Sequence, residues 1–303
     1  MDGEGKVINW IKVAHPWAIP ASASPALIGF TYVFYLSQTG DIEGMNWNFG
    51  LLGILGAIIF HLAGNLISEY HDYVSGVDIK EKTGPERLIV KGLFKPKTVL
   101  YYGYVVLTIG VLLGIYLLVN TGLPVLAFGF IGIISSTLYH RFKYVALGDL
   151  VIFISYGMAI ALGVAYVMTR QLIWSTLLVV APTGLLVVAI LHANNTRDML
   201  QDKAAGIRTQ AMRLGVEGSQ VVYQTLLLLA YLLVAVAVLL GILAPLTFVT
   251  LFSFPLAMRN IKLMKRATLE DLGIIRFLDT DTAKLVLLFS LLLAVANIVA
   301  TFL

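Results

Sequence analysis

The sequence predicts an all-α, polytopic membrane protein whose helices form a bundle across a lipid bilayer. Hydrophobic residues make up 59% of the 303 residues, and charged residues only 13%. A soluble globular domain carries about 25% charged residues, so this composition excludes an ordinary soluble fold. The apolar residues also fall into about nine runs, most of them close to the roughly 20 residues that a helix needs to cross a bilayer.

These runs follow one another along the whole chain. The third and fourth are joined by a very short turn at residues 120–122, and the seventh and eighth by another at 241–245, as antiparallel neighbours would be. We therefore expect a single domain over residues 1–303, with two related four-helix halves, at about 17–139 and 147–258, followed by a ninth helix. The nine predicted spans lie near residues 17–37, 48–71, 98–119, 122–139, 147–168, 172–195, 218–240, 243–258 and 283–303.

Basic residues cluster in alternate loops. Of the 21 lysines and arginines, only Arg170 falls in a loop on the opposite side. Because cytoplasmic loops carry an excess of Lys and Arg, we expect a cytoplasmic-membrane protein with its N-terminus and large loops in the cytoplasm and its C-terminus outside. The net charge of +4 is thus explained by membrane topology rather than by affinity for nucleic acid.

Several kinds of catalytic chemistry lack their sequence signatures. The chain contains no cysteine, which excludes disulfides and thiolate chemistry. It also contains no P-loop, no G-x-G-x-x-G and no G-x-S-x-G. Nucleotide hydrolysis and serine chemistry are therefore not indicated, and no segment indicates an obligate protein partner.

A cluster of acids and amides closes the sixth predicted span, in the segment LHANNTRDMLQDKAAGIRT. Asn194, Asp198 and Asp202 are spaced i, i+4 and i+8, so on a helix their side chains project from one face over two turns. Burying unpaired carboxylates is expensive. Mg²⁺, in contrast, takes oxygen ligands and is often held by one or two carboxylates plus substrate phosphates. This segment, called the second motif because a similar one precedes it in the chain, is therefore a candidate metal site.

The second predicted span ends in a similar first motif, NLISEYHDYVSGVD. Asn65, Glu69 and Asp72 are spaced i, i+4 and i+7, and Asp78 follows after a glycine. Two acidic helix ends on the same side of a bundle can face each other across a cavity and share a charged ligand. The pair of motifs therefore predicts one shared site.

Basic residues flank both motifs, with Arg87 after the first and Lys203 and Arg208 in the second. Mixed acids and bases suit a diphosphate that is held by Mg²⁺ and contacted by Arg or Lys. The simpler alternative is a solvated helix end with surface salt bridges, and for Arg87 the two interpretations are equally supported. His61 and His192 are interpreted as hydrogen-bonded bundle residues rather than as metal ligands.

Together the two motifs resemble the UbiA superfamily of intramembrane prenyltransferases. Within it they are most similar to the 1,4-dihydroxy-2-naphthoate polyprenyltransferases of menaquinone synthesis and their vertebrate-type relatives. The second motif matches N-N-x-R-D-x-x-x-D-x-x-x-G-x-x-T followed by R-L-G, at Asn194, Asn195, Arg197, Asp198, Asp202, Gly206, Thr209, Arg213, Leu214 and Gly215. The first motif matches N-L-x-N-D-Y-x-D-x-x-x-G-x-D at Asn65, Leu66, Tyr70, Asp72, Gly76 and Asp78. The resemblance extends from about residue 10 to the end of the chain, and it includes VALGDLVIF and DTDTAKLVLLF.

Two positions of the first motif depart from that branch. Ser68 stands where the branch usually has Asn, and Glu69 where it usually has Asp. Glu can still bind a metal with a longer reach, whereas Ser68 weakens the expectation that its position holds diphosphate or metal.

The resemblance implies a bundle around a cavity that is open to the lipid, in which Mg²⁺ binds a polyprenyl diphosphate. The implied metal ligands are Asn65, Glu69, Asp72, Asp78, Asn194, Asp198 and Asp202. The implied diphosphate contacts are Asn65, Ser68, Arg87, Asn194 and Lys203. The implied catalytic residues are Asp72, Asp198 and Asp202, with Tyr139 and Lys143 near the reacting end of the prenyl group.

The activity that this implies is Mg²⁺-dependent transfer of a polyprenyl group to an aromatic acceptor through an allylic carbocation. The favoured acceptor is 1,4-dihydroxy-2-naphthoate, and the alternatives are 4-hydroxybenzoate, a glycerol-phosphate lipid, haem and a chlorophyllide. From other classes, a secondary transporter would place its charges near mid-membrane, whereas these clusters lie at helix ends. A lipid-binding scaffold would tolerate the loss of Asp198 or Asp202.

Overall fold

The computed structural model describes residues 3–78 and 87–303, with the backbone alone for residues 3–6. Every regular element in these ranges is helical, and the predicted all-α membrane fold is confirmed. The α-helices, in chain order, are α1 (Gly3–Lys12), α2 (Pro20–Thr39), α3 (Trp47–Val74), α4 (Pro96–Thr121), α5 (Val125–Tyr144), α6 (Gly148–Ile152), α7 (Ile160–Thr169), α8 (Ser175–Arg197), α9 (Met199–Ala204), α10 (Gln210–Leu239), α11 (Phe254–Met264) and α12 (Leu278–Val299). Short 3₁₀ and π segments join several of them: the 3₁₀ segments Pro16–Ala18, Pro245–Ser253, Leu272–Ile275 and Ala300–Phe302, and the π-helix Phe153–Ala159.

Eight helical stretches of the described chain are long and apolar enough to cross a membrane, so this is an integral membrane protein. They are Pro16–Thr39, Trp47–Val74, Pro96–Thr121, Val125–Tyr144, Gly148–Thr169, Ser175–Arg197, Gln210–Leu239 and Leu272–Phe302. Each corresponds to one of the predicted spans; most ends shift by a few residues, but Gln210–Leu239 and Leu272–Phe302 begin 8 and 11 residues earlier than predicted.

The predicted span at 243–258 differs in form. It is a 3₁₀-helix, Pro245–Ser253, that continues into α11. At 2.0 Å per residue for the 3₁₀ part and 1.5 Å for the α part, the 20 residues extend about 34 Å, enough for a bilayer core of about 30 Å.

This segment runs antiparallel to α10. The hydroxyls of Tyr231 and Ser253 lie 2.7 Å apart near its middle, and Gln220 donates to the carbonyl of Ala267 at 2.9 Å just beyond its end. The segment is less apolar than the eight stretches above because α11 carries Arg259, Asn260 and Lys262, while the buried face of the 3₁₀ part carries Thr247, Thr250 and Ser253. Each of these hydroxyls donates to the carbonyl three residues earlier, at 2.6–2.8 Å, so burial leaves them satisfied.

Local sequence determines where α3 and α10 begin and where α10 is kinked. Asn46 caps α3, accepting from the backbone N–H of Phe49 at 3.0 Å, as Asn does at a helix N-terminus. Thr209 takes the same position at α10, where its side chain accepts from the N–H of Met212. The conformation of Gly215 inside α10, with φ 70° and ψ −179°, is non-helical, and only glycine adopts such a φ without strain.

The largest core cluster joins α2, α8, α10 and α12, around buried side chains such as Tyr223, Leu227 and Phe289. α3 packs against α4 and α5 on the other side of the bundle. Between these two groups, the π-helix Phe153–Ala159 lies against α8, where a Cβ added at Gly184 would meet the Cα of Gly157 at 2.6 Å. This close approach fixes the π-helix against α8 and positions Tyr156, whose ring centroid lies 5.0 Å from that of His61 on α3.

Candidate functional site

A cavity of about 270 Å³ lies where α3, α5 and α8 end and α12 begins. It receives side chains from both motifs and from the segment before α2. Its walls are formed by His15, Trp17, Ala18, Ala21, His61, Gly64, Asn65, Ser68, Glu69, Asp72, Arg87, Ser135, Tyr139, Lys143, Ile152, Tyr156, Val187, Ile190, Leu191, Asn194, Asp279, Thr280 and Ala283. Eight of the residues that the sequence selects are therefore wall residues: Asn65, Ser68, Glu69, Asp72, Arg87, Tyr139, Lys143 and Asn194.

The first motif projects into this cavity from the last three turns of α3. Its helical spacing places Asn65, Glu69 and Asp72 on one face, as predicted. Asn65 donates to the backbone carbonyl of Ala14 at 3.2 Å, which ties the segment before α2 to the cavity.

Glu69 is the centre of an ionic cluster. Its Oε2 lies 3.0 Å from His15 Nε2 and 3.0 Å from Arg87 Nη1. Arg87 reaches a second carboxylate through its Nε, 3.4 Å from Asp78 Oδ2. The side chains of Glu69 and Asp78 are both only 1% exposed, so Arg87 compensates two buried negative charges, and its position combines a salt-bridge role with access to the cavity.

Arg87 is held as a cation by its surroundings. Burial lowers the pKa of Arg87, but nearby carboxylates outweigh burial and raise the pKa above its ordinary value. These carboxylates come from both motifs, and they are Asp78, Glu69, Asp72 and Asp198.

Asp72 is held from the side of α5. Its Oδ1 accepts from the hydroxyl of Tyr144 at 2.8 Å, and its Oδ2 lies 3.8 Å from Lys143 Nζ. Lys143 is buried and also interacts electrostatically with Asp198 and Asp202. Arg87 and Lys143 thus interact electrostatically with carboxylates of both motifs, so the two bases connect the motifs across the cavity.

In the second motif, Asn194 reaches the cavity wall, while Asp198 and Asp202 are buried next to it. Asp198 is 1% exposed and Asp202 0%. The guanidinium of Arg197 holds both oxygens of Asp198, with Nε to Oδ1 at 2.7 Å and Nη2 to Oδ2 at 3.0 Å. Its remaining nitrogen, Nη1, donates to Asp279 Oδ2 at 2.7 Å.

The donor set of the two motifs fits a hard cation. Carboxylate and amide oxygens are the ligands that Mg²⁺ prefers, and they come from Asn65, Asp72, Asn194, Asp198 and Asp202. Among residues 3–78 and 87–303, no three His, Asp or Glu side chains form a ready metal cluster. Glu69, Asp72, Asp78 and Asp198 are instead paired with Arg, Lys, His or Tyr, so a cation bound by Asp72 or Asp198 would take the place of one of these partners.

A second, apolar cavity of about 120 Å³ adjoins the first. His61, Ser135 and Tyr156 border both. Its walls come from α3, α4, α5 and α7, and they include seven glycines, Gly53, Gly56, Gly110, Gly114, Gly129, Gly132 and Gly163. Small residues here leave an apolar space that leads away from the charged site.

Lys203 is the predicted diphosphate contact that the structure does not bring to the cavity. It is exposed on α9 and borders a separate groove together with Arg208 and Lys265. α9 begins after a break at Asp198, where ψ is 8°. This break turns α9 out of line with α8. The prediction that Asn194, Asp198 and Asp202 share one face of a continuous helix is therefore wrong beyond Asp198.

The two histidines are hydrogen-bonded, as predicted. His61 Nδ1 lies 2.9 Å from the hydroxyl of Ser22, and His192 Nδ1 lies 2.9 Å from Asp149 Oδ2. His61 also forms part of the wall of both cavities, a position that the sequence does not reveal.

Five further site residues were not selected from the sequence. His15 and Trp17 stack with ring centroids 4.9 Å apart, and Tyr144, Tyr156 and Asp279 approach from α5, the π-helix and α12. Asp279 belongs to the segment DTDTAKLVLLF, which is part of the family resemblance, but the resemblance assigned no function to this residue. The others lie outside any acidic motif, so only the fold reveals them.

The fold and site together define a class: a helical membrane protein with a charged cavity at its helix ends that leads into an apolar one. The chain belongs to the UbiA prenyltransferase family, whose model matches residues 22–278. It is therefore a prenyltransferase.

Similar proteins agree with this assignment. "UbiA prenyltransferase domain-containing protein 1" of Danio rerio is 34% identical over 244 residues, covering 77% of this chain and 69% of that protein. The protein of the same name in Homo sapiens is 32% identical over 238 residues, covering 76% of this chain and 68% of that protein.

Solved structures share the fold at low sequence identity. A UbiA homologue from Aeropyrum pernix K1 superposes with a TM-score of 0.69 at 16% identity, covering 92% of this chain and 98% of that one. A UbiA homologue from Archaeoglobus fulgidus, bound to DMAPP and Mg²⁺, gives a TM-score of 0.62 at 16% identity with the same coverage.

Proposed function

We propose that this prenyltransferase moves a polyprenyl group from its diphosphate to an aromatic acceptor, with 1,4-dihydroxy-2-naphthoate as the preferred acceptor and Mg²⁺ as the cofactor. The observation that carries the proposal is the junction of two cavities. One has acids and bases of both motifs in its walls, and the other is lined by glycines and apolar side chains. A prenyl diphosphate has the same division into a charged head and an apolar tail.

The head of the substrate fits the charged cavity. Arg87 and Lys143 lie between the carboxylates of the two motifs, so they can donate to diphosphate oxygens. Bound Mg²⁺ would neutralise the negative charge that develops on the leaving diphosphate. Asn65, Asp72, Asn194, Asp198 and Asp202 would hold it, since they supply the oxygen ligands.

The tail of the substrate fits the apolar cavity. A Cβ added at Gly114 or Gly129 would meet no atom within 4 Å, so these positions border open space. Along α5, Gly129 lies ten residues from Tyr139, about 15 Å at 1.5 Å per residue. The apolar space therefore extends away from the charged site along α5, in the direction that the tail would take.

The reacting carbon would lie where the two cavities meet, beside Tyr139 and Tyr156. The allylic C–O bond breaks with both electrons passing to the diphosphate, which the bases stabilise as negative charge develops. The apolar walls keep water from the prenyl cation, and the aromatic faces stabilise it. A ring carbon of the acceptor then forms the new C–C bond, and the ring loses a proton or, for a naphthoate, its carboxyl group as CO₂.

One comparison and one sequence motif support the proposed prenyl diphosphate and acceptor. The Archaeoglobus fulgidus homologue has been solved with DMAPP and Mg²⁺ and with GPP and Mg²⁺, which supports a prenyl diphosphate and a divalent metal here. For the acceptor, the support is the N-N-x-R-D context of the second motif, which resembles the naphthoate branch; the similar proteins reported above are of the UbiA prenyltransferase domain-containing protein 1 type.

The test is an assay on purified protein in detergent or lipid. Geranylgeranyl diphosphate is combined with 1,4-dihydroxy-2-naphthoate or with 4-hydroxybenzoate, with and without Mg²⁺, and products are identified by mass spectrometry. We expect a Mg²⁺-dependent product from the naphthoate. A product from the benzoate alone would overturn the acceptor, and no product together with no Mg²⁺-dependent diphosphate binding would overturn the proposed function.

A further inference from the structure

Asp279, in the first turn of α12, connects that helix to the end of α8. Its Oδ2 accepts from Arg197 Nη1 at 2.7 Å and from Asn194 Nδ2 at 3.3 Å. Its side chain is 12% exposed and forms part of the wall of the charged cavity. A carboxylate from outside both motifs thus contacts two residues of the second one.

Arg197 is shared between two carboxylates. Its Nε and Nη2 hold Asp198, while Nη1 holds Asp279 and the backbone carbonyl of Arg276, the latter at 3.2 Å. Arg197 is only 2% exposed. Since a guanidinium keeps its proton in proteins, this buried cation needs a carboxylate partner at all times.

The proposed function, on which this inference rests, requires Asp198 to leave Arg197 and bind a metal. Without a second anion, that exchange would leave Arg197 as a buried, uncompensated charge, which is costly. We propose that Asp279 is a positioning residue that retains Arg197 and Asn194, so that Asp198 can pass from the guanidinium to Mg²⁺ and its diphosphate.

A purely structural role for Asp279 makes a different prediction. Acidic residues at a helix N-terminus stabilise the helix through its dipole, and Asp279 also accepts from the N–H of Thr280 at 2.7 Å. Asp281 lies in the same first turn, yet it pairs with Arg259 at 2.7 Å and Lys284 at 2.9 Å. These two bases are 60% and 66% exposed, so Asp281 shares the helix-end position without touching the second motif.

The experiment compares Asp279→Asn with the control Asp281→Asn in the full chain. Two quantities are measured: the Mg²⁺ concentration for half-maximal transfer, and the Mg²⁺-induced rise in melting temperature with inorganic pyrophosphate present. In Asp279→Asn, Asp198 alone compensates Arg197, so Mg²⁺ competes with a stronger pair. We expect the half-saturating Mg²⁺ concentration to rise about tenfold in the transfer assay and in the melting titration, equivalent to about 1.4 kcal/mol. In Asp281→Asn, both concentrations should stay within about twofold of wild type.

The double variant Arg197→Gln/Asp279→Asn tests the route of the effect. It keeps the net charge of the cluster formed by Arg197, Asp198 and Asp279, so it also serves if Asp279→Asn alone does not fold. We expect it to bind Mg²⁺ with a half-saturating concentration no higher than that of Arg197→Gln alone, because Asp279 acts through Arg197. A further tenfold rise would overturn the positioning role.

Equal half-saturating Mg²⁺ concentrations in wild type and Asp279→Asn, or equal shifts in Asp279→Asn and Asp281→Asn, would also overturn the inference. A failure of the proposed function is recognised separately, because wild type itself would then show no Mg²⁺-dependent transfer.

Discussion

Replacing Arg87 by alanine removes a cation that two buried carboxylates share. Arg87 lies 3.0 Å from Glu69 and 3.4 Å from Asp78, and both acids would remain buried near each other without it. Two unit charges 4 Å apart interact by about 4 kcal/mol at an effective dielectric constant near 20, and breaking a buried ion pair typically costs about 3–5 kcal/mol. His15 stays beside Glu69, so we expect the lower end, about 3 kcal/mol.

The same change should weaken the enzyme. A hydrogen bond to a charged group contributes about 1.5–3 kcal/mol, so kcat/KM for the prenyl diphosphate should fall about 10- to 100-fold. The assay pairs initial rates with thermal melting in detergent at a fixed scan rate. Arg170→Ala is the matched control, because the side chain of Arg170 donates to the carbonyl of Asn120 at 2.8 Å in an exposed turn, away from the charged cavity.

Two companion variants separate charge from geometry. Arg87→Lys keeps the charge but lacks the fork that serves two carboxylates, so we expect an intermediate melting temperature. Adding Glu69→Gln to Arg87→Ala removes one uncompensated charge and should recover part of the lost stability. An Arg87→Ala protein that melts with wild type and keeps its KM would refute both the ionic cluster and the diphosphate contact.

Three further outcomes are expected. Asp198→Asn should lower transfer at least about a hundredfold through lost electrostatic stabilisation without loss of the melting transition, and normal turnover would rule out its metal role. Ser68→Asn, which restores the usual residue of the naphthoate branch, should keep activity, and a folded but inactive protein would reveal a local role for the hydroxyl. Gly129→Leu should shift the preferred diphosphate to a shorter prenyl chain, because the leucine side chain enters the apolar cavity. The control Ala127→Leu, on the exposed side of α5, should keep the wild-type preference. Equal chain preferences in both variants would exclude the apolar cavity as the tail site.

Local periodicity predicted most of the fold and much of the site. The apolar runs located the crossings, and the i, i+4 spacing placed Asn65 and Glu69 on the cavity face of α3. Only the family resemblance predicts Lys203 at the site, and the structure places it outside the cavity, after the break at Asp198 that ends α8; no residue pattern predicts this break. His15 and Asp279 reach the site through tertiary packing between segments that are distant in sequence. The spacing of residues within one helix cannot predict such contacts.

The eighth predicted crossing, residues 245–264, is less apolar than the others because α11 carries Arg259, Asn260 and Lys262, and its path decides on which side of the membrane residue 303 lies. An even number of crossings returns the last residues to the compartment of α1, whereas an odd number leaves them in the other. At about 34 Å, residues 245–264 are long enough to add one crossing to the eight apolar helical stretches, and we therefore expect an odd number. A reporter fused after Leu303 would then meet a different compartment from one fused ahead of α1.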